Sequence, residues 1–81
     1  MSFTTNISDI LGNADITDIT DGTTFYSGFF NTGKSEYTDP VCLIIRVQKV
    51  GTTYVRMYAN GKKDYNNIWN QRASLTYSHL K

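Results

Sequence analysis

Val41-Cys-Leu-Ile-Ile-Arg-Val-Gln-Lys-Val50, then Gly51-Thr52, then Thr53-Tyr-Val-Arg-Met-Tyr-Ala59 and Asn60-Gly61, is the stretch that decides the fold. Side chains of a β-strand point alternately to opposite faces, so a period of two sorts the segment into sides. Val41, Leu43, Ile45 and Val47 share one side of the first strand, against Cys42, Ile44, Arg46 and Gln48. In the second strand Val55, Met57 and Ala59 oppose Tyr54, Arg56 and Tyr58. Gly51-Thr52 supplies a tight connection, and Asn60-Gly61 is a turn signal that ends the second strand. The stretch reads as a β-hairpin with Ile44 on an outer face beside Tyr54 and Tyr58, a face that is then also covered.

Toward the N-terminus, Thr23 to Phe30 reads as a further strand, with Phe25, Ser27 and Phe29 on one face and Thr24, Tyr26 and Phe30 on the other. Residues 1 to 22 differ from the rest. They carry Asp9, Asp15, Asp18 and Asp21 and no Lys or Arg. Asp15-Ile16-Thr17 repeats as Asp18-Ile19-Thr20, a period of three that fits neither helix nor strand. The expectation is an extended arm whose isoleucines dock on a neighbouring surface. A calcium loop of the helix-loop-helix type needs acids at every second position and does not fit.

Toward the C-terminus, Asp64 is placed to cap a short helix, because Tyr65, Ile68, Trp69 and Arg72 fall at i, i+3, i+4 and i+7. Trp69 and Ile68 then become core anchors against Leu43, Ile45 or Val47. Ala73 to Tyr77 alternates and is expected to finish as a short strand, with Arg72 stacking on a ring or bonding a carbonyl. The predicted class is α+β, mostly β. It comprises a small antiparallel sheet on a central hairpin, one short C-terminal helix and an N-terminal arm, divided as arm 1–22 and domain 23–81.

The 81 residues allow one small core, and a chain of this size buries only about 60% of its unfolded surface. Charged residues are 19% and apolar ones 40%, which suits a folded domain. A net charge of +1 argues against nucleic acid or anionic membrane as the main partner. Cys42 is the single cysteine and His79 the single histidine, so neither a disulfide framework nor a zinc site is expected to staple the fold. Met1 to Asn6 lacks the basic and apolar regions of a secretory signal, and the longest apolar run, Val41 to Ile45, is too short to span a bilayer. Oligomerisation is the remaining way to stabilise so small a domain.

Gly28-Phe-Phe-Asn-Thr-Gly33-Lys34-Ser35 matches the bare phosphate-loop pattern. Asp39-Pro40 interrupts within five residues of Ser35, so no helix follows whose N-terminus would hold a phosphate. No nucleotide, cofactor or metal is expected. Nucleophilic catalysis needs a nucleophile, a base and an orienting group together. Cys42 sits within an apolar strand, His79 lies near the chain end and no acid pair has a perturbing context, so no enzyme is expected.

Tyr58-Ala-Asn-Gly61, followed by Tyr65-Asn-Asn-Ile-Trp-Asn-Gln-Arg-Ala-Ser-Leu-Thr-Tyr-Ser78, resembles the tail of small proteins encoded in tailed-bacteriophage genomes. The hairpin, with its Arg46-Val-Gln-Lys49 strand end and Gly/Thr turn, is similar to theirs as well. The likeness covers about residues 23 to 78, and Trp69-x-x-Arg72-Ala-Ser-Leu-Thr-Tyr77 is its specific part. Asn60 and Asn70 stand where those relatives have aspartates, and the loop from Asn31 to Asp39 is more polar than theirs. The Asp-Ile-Thr repeat has no counterpart there.

The resemblance implies a phage origin and a virion part rather than a chemistry. The expected function is a non-enzymatic structural subunit: capsid decoration, or a neck, tail or baseplate accessory or adaptor. It would assemble in the host bacterial cytoplasm into the virion, as a homo- or hetero-oligomer with other virion proteins. Ile16, Ile19, Tyr54, Tyr58, Arg46 and Arg56 are the expected partner-contacting residues, since aromatic and arginine side chains suit subunit interfaces. The competing class is a small recognition module, such as a glycan-binding or fibre-type domain, which needs Tyr54, Tyr58 and Trp69 exposed in one patch.

Overall fold

The computed structural model describes residues 14–31 and 37–80. It is mostly antiparallel β-sheet. The strands are β1 Ile16–Ile19, β2 Thr24–Phe30, β3 Pro40–Val50, β4 Thr53–Ala59, β5 Asn67–Ile68 and β6 Tyr77–Ser78. Their order is β1-β2-β3-β4-β6, with β5 also paired to β3, and a 3₁₀ helix Trp69–Ser74 connects β5 to β6. The N-terminal residues 1–13 and the Gly33-Lys34-Ser35 turn lie outside the described residues, as does the end of the chain at Lys81.

β3 is the longest strand and lies in the middle of the order, and Cys42 to Ile45 are buried without interruption. A strand covered on both faces has no polar side to alternate with, which explains the unbroken apolar run Val41 to Ile45. Two clusters result. Tyr26, Cys42, Ile44, Ala59 and Trp69 pack on one face, joined by Ile16, Phe30, Leu75 and Tyr77. Phe25, Ile45 and Val47 pack on the other, with Phe29, Tyr54 and Tyr58 against them.

The pairing of β3 with β4 corrects the expected grouping of the tyrosines. Gly51 adopts φ +65, and Val50 pairs with Thr53 across the two-residue turn. Such a turn pairs residue i with i+3, so odd positions of β3 oppose even positions of β4. Ile45 therefore opposes Tyr58, Val47 opposes Arg56 and Lys49 opposes Tyr54. Ile44 belongs to the opposite face, with Trp69.

The expected arm is corrected as well. Ile16–Ile19 is a strand, paired with β2 from Ile16↔Gly28 to Ile19↔Phe25. Asp15 fastens its start: its N–H donates to the Gly28 carbonyl at 2.9 Å, and its Oδ2 accepts the Phe30 N–H at 2.8 Å. At the other end the Asp21 carboxylate accepts both the N–H and the hydroxyl of Thr23, and the N–H of Thr24. Those bonds favour the charged form and hold its pKa below the ordinary value.

The helix expected from Tyr65 to Arg72 differs in the structure. Asn60 and Gly61 both take left-handed φ, and Lys62 N–H closes the turn on the Ala59 carbonyl at 3.2 Å. Residues 62–66 then leave the sheet, and Asn67-Ile68 return to β3 beside Pro40 and Cys42. Asn67 is buried; its Nδ2 donates to the Cys42 carbonyl at 3.1 Å and its Oδ1 accepts from Asn60 Nδ2 at 3.3 Å. A buried amide must keep its partners, and these hold 67–68 extended, so helical geometry starts only at Trp69.

Candidate functional site

Trp69 is buried, as expected of an anchor, but on the other side of the sheet from Leu43, Ile45 and Val47. Position 28 decides the side. A Cβ built on Gly28 would come within 2.7 Å of Trp69 Cε3 and 2.7 Å of Ile16 Cγ2, so the missing side chain is the space these two occupy. Arg72 lies with its guanidinium carbon 4.5 Å from the Trp69 ring centroid, donates from Nη1 to the Trp69 carbonyl and pairs through Nε with Asp18 Oδ2 at 2.9 Å. Tyr77 donates its hydroxyl to the Arg72 carbonyl at 2.8 Å. The clasp Asp18–Arg72–Trp69 thus ties β1 to the segment after β5.

Two of the residues expected to face a partner are half-buried on the Trp69 side of the sheet. Ile16 packs in the Trp69 cluster. Arg46 lies under Tyr77, 4.9 Å from the ring centroid, with Nη2 3.5 Å from Met57 Sδ and its buried Nε unpartnered. Both belong there because Ile16 and Arg46 fall on the Trp69 side of their strands. Ile68 is half-buried, while Leu43 and Ile45 are buried. Ile19 is exposed, Arg56 is exposed, and Tyr54 and Tyr58 are half-buried against Phe25, Ile45 and Val47. Tyr54 and Tyr58 therefore do not share a patch with Trp69.

Among the described residues the fold builds a cleft of about 290 Å³ on the Tyr58 side. Phe29, Leu43 and Ile45 form its apolar floor, from β2 and β3. Tyr58 and Arg56 of β4 stand along it, and Lys63 and Tyr65 reach it from the excursion after Gly61. Floor residues come from neighbouring strands whose same-face side chains are adjacent, so the apolar ground is continuous. Lys63, Tyr65 and Phe29 were not among the site residues expected from the sequence. The available signal was Asn60-Gly61, which turns the chain so that 62–66 can lie beside the sheet.

Chemically the cleft offers apolar contact, two phenols and two cations. Among the described residues no three His, Cys, Asp or Glu side chains gather where a metal could be held, and no helix is long and apolar enough to cross a membrane. Cys42 lies apart from the cleft, fully buried on the Trp69 side, and burial pushes its thiol up to about 11. Burial likewise raises the Tyr77 phenol above its ordinary value. Both groups are neutral at physiological pH. Compared with family models, curated proteins and solved structures, the chain finds no match.

Proposed function

We propose that this protein is a non-enzymatic structural subunit of a tailed-phage virion, acting by protein–protein assembly as a capsid decoration, neck, tail or baseplate accessory. Its working unit on this reading is the sheet built on the central hairpin with its short C-terminal helical segment, placed in the particle after assembly in the host cytoplasm. The observation that carries the proposal is how the phage-like stretch is used. Trp69 fills the space at Gly28, Arg72 is engaged by Asp18 and the Trp69 carbonyl, and the Tyr77 hydroxyl is engaged by Arg72. A motif whose polar and aromatic groups are spent on its own fold is a scaffold signature, not a reaction centre. The exposed apolar side chains Ile19, Val50 and Leu80, and the cleft, supply surface for neighbours.

Quantitative mass spectrometry of purified particles of the encoding phage tests this. Stoichiometric presence is expected: hundreds of copies for decoration, or multiples of three, six or twelve for neck or tail. Infectious particles that lack the protein altogether would overturn it.

A further inference from the structure

We propose that Asn60-Gly61 is a spontaneous modification site, held unreacted by the folded chain and deamidated to aspartate or isoaspartate when the turn opens. The chemistry needs only water. The Gly61 nitrogen gives its proton to solvent base and attacks Asn60 Cγ; the Cγ–Nδ2 bond breaks, and Nδ2 leaves with a proton as ammonia. The five-membered imide that remains adds water at either carbonyl. One opening leaves aspartate, the other an isoaspartate whose main chain runs through Cγ. Glycine in the second place favours ring closure, because it has no side chain to hinder the approach and its backbone reaches the required angles freely. Every other asparagine of the chain precedes a residue with a side chain. The inference stands apart from the assembly reading.

The fold engages both reacting groups. Gly61 is buried, and its N–H donates to the Tyr58 carbonyl at 3.0 Å, which keeps the nucleophilic nitrogen protonated. Asn60 Nδ2 donates at 3.3 Å to Oδ1 of buried Asn67, which is itself bonded to the Cys42 carbonyl. The Asn60 N–H donates to the Thr76 carbonyl at 2.7 Å, with the backbone left-handed at φ 59. Ring closure needs the nitrogen stripped of its proton and the carboxamide free to turn onto it, and these bonds oppose both. Opening need not be global: Thr76 precedes the two-residue strand β6, and such short elements open before a central sheet does. The reaction rate then follows the open population. Isoaspartate adds one main-chain carbon inside the turn that Gly61 and Lys62 close on Tyr58 and Ala59, and either product lacks the amide donor to Asn67. A buried acceptor loses its partner, so the modified chain does not rebuild the turn it left.

The test ages the full chain at pH 8, in buffer and in unfolding urea, and follows it by tryptic peptide mapping with mass spectrometry and enzymatic isoaspartate labelling. Peptide 57–62 holds Asn60 alone, and peptide 64–72 holds Asn66, Asn67 and Asn70 as an internal control. In urea, peptide 57–62 should gain one dalton and the isoaspartate label, at least tenfold faster than in buffer and faster than peptide 64–72. Native-state hydrogen exchange reads the same protection without any variant: the Gly61 amide should exchange at least tenfold more slowly than in the unfolded chain. Chains carrying isoaspartate at position 60, separated by charge and refolded, should melt several degrees below the unmodified protein. Equal rates in buffer and urea, no faster change at 57–62 than at 64–72, an unprotected Gly61 amide, or an unaltered melting temperature of the isoaspartate chain would overturn the proposal.

Discussion

Trp69 occupies the room that any side chain at Gly28 would need: a Cβ there would stand 2.7 Å from Cε3 and 2.8 Å from Cζ3 of the indole. Glycine weakens a strand, so its presence in the middle of β2 signals close approach by another group. Here that group is the largest side chain of the core, and the pair sets which face of the sheet the C-terminal segment crosses.

Gly28→Ala is expected to cost about 1–3 kcal/mol, the usual range for overpacking a filled core. Trp69→Ala should cost about 3–5 kcal/mol, a large share of a small domain's stability. Because the two occupy one space, their effects should not add. In a Trp69→Leu background, Gly28→Ala should lose much of its penalty. Urea denaturation of wild type, Gly28→Ala, Trp69→Leu and the double variant measures this; a full, undiminished penalty in the Leu background would show that Ile16, whose Cγ2 stands equally close at 2.7 Å, sets it.

The clasp is the second testable relationship. Arg72 carries an ion pair with Asp18, a contact with the Trp69 ring and a bond to the Trp69 carbonyl, with both charged side chains only partly buried. A half-exposed ion pair contributes about 0–1 kcal/mol, and a cation over an indole about 0.5–2. Arg72→Ala should therefore destabilise by about 1–3 kcal/mol. Asp18→Asn, which leaves the ring contact, should cost less than half as much, and only its share should shrink in 1 M salt. Equal losses for both variants would mean that the ion pair, not the stacking, dominates.

Much of this fold was legible because strand composition and turn residues are local signals. The strand segments Thr24–Phe30, Pro40–Val50 and Thr53–Ala59 lie where the sequence is rich in β-branched and aromatic residues, bounded by the Gly51-Thr52 and Asn60-Gly61 turns. Val41 to Ile45, covered on both faces, does not alternate. The face of Tyr54 and Tyr58 was also within reach, since a two-residue turn at Gly51-Thr52 already pairs odd with even positions. β1 was hidden by its own repeat. A period of three puts Ile16 and Ile19 on opposite faces of a strand, so neither face looks apolar. The helical spacing from Tyr65 to Arg72 was overridden by Asn67, whose partners Cys42 and Asn60 are distant in sequence. The cleft needed Lys63 and Tyr65 brought beside β4, a tertiary fact with no periodic trace.

Arg46 provides a third prediction, opposite in sign. Its Nε is buried without a partner among the described residues, its Nη2 donates to the Met57 Sδ at 3.5 Å, and its guanidinium lies over the Tyr77 ring. A buried donor left unmade costs about 1–3 kcal/mol, and replacing such a group with an apolar one of similar shape is often neutral or stabilising. Arg46→Met should leave the melting temperature unchanged or raise it by a few degrees, with particle incorporation intact. A loss of stability above about 2 kcal/mol would mean that the cation over Tyr77 outweighs its desolvation.

Alkaline pH supplies the last test, through the buried Cys42 thiol and the half-buried Tyr77 phenol on the Trp69 side of the sheet. The Cys42 thiol is raised from 9.0 to about 11 by burial, and Tyr77 is raised above its ordinary 10 by the same cause. Below pH 9 both groups are protonated in the folded and the unfolded chain, so their contribution to stability is complete. Between pH 9 and 11 the unfolded thiol gives up its proton while the folded one keeps it, which favours unfolding as pH rises. Two units correspond to about 2–3 kcal/mol lost by pH 11 from Cys42, with Tyr77 adding to the slope above pH 10. Urea midpoints should thus be flat from pH 7 to 8.5 and fall steeply from pH 9. Cys42→Ala starts lower, because it leaves a small cavity, but its curve should stay flat to about pH 10, where the Tyr77 loss begins. The native thiol should also resist a disulfide reagent at pH 8 until urea unfolds the chain. Immediate labelling of the folded protein, or identical alkaline slopes for wild type and Cys42→Ala, would place Cys42 outside the core.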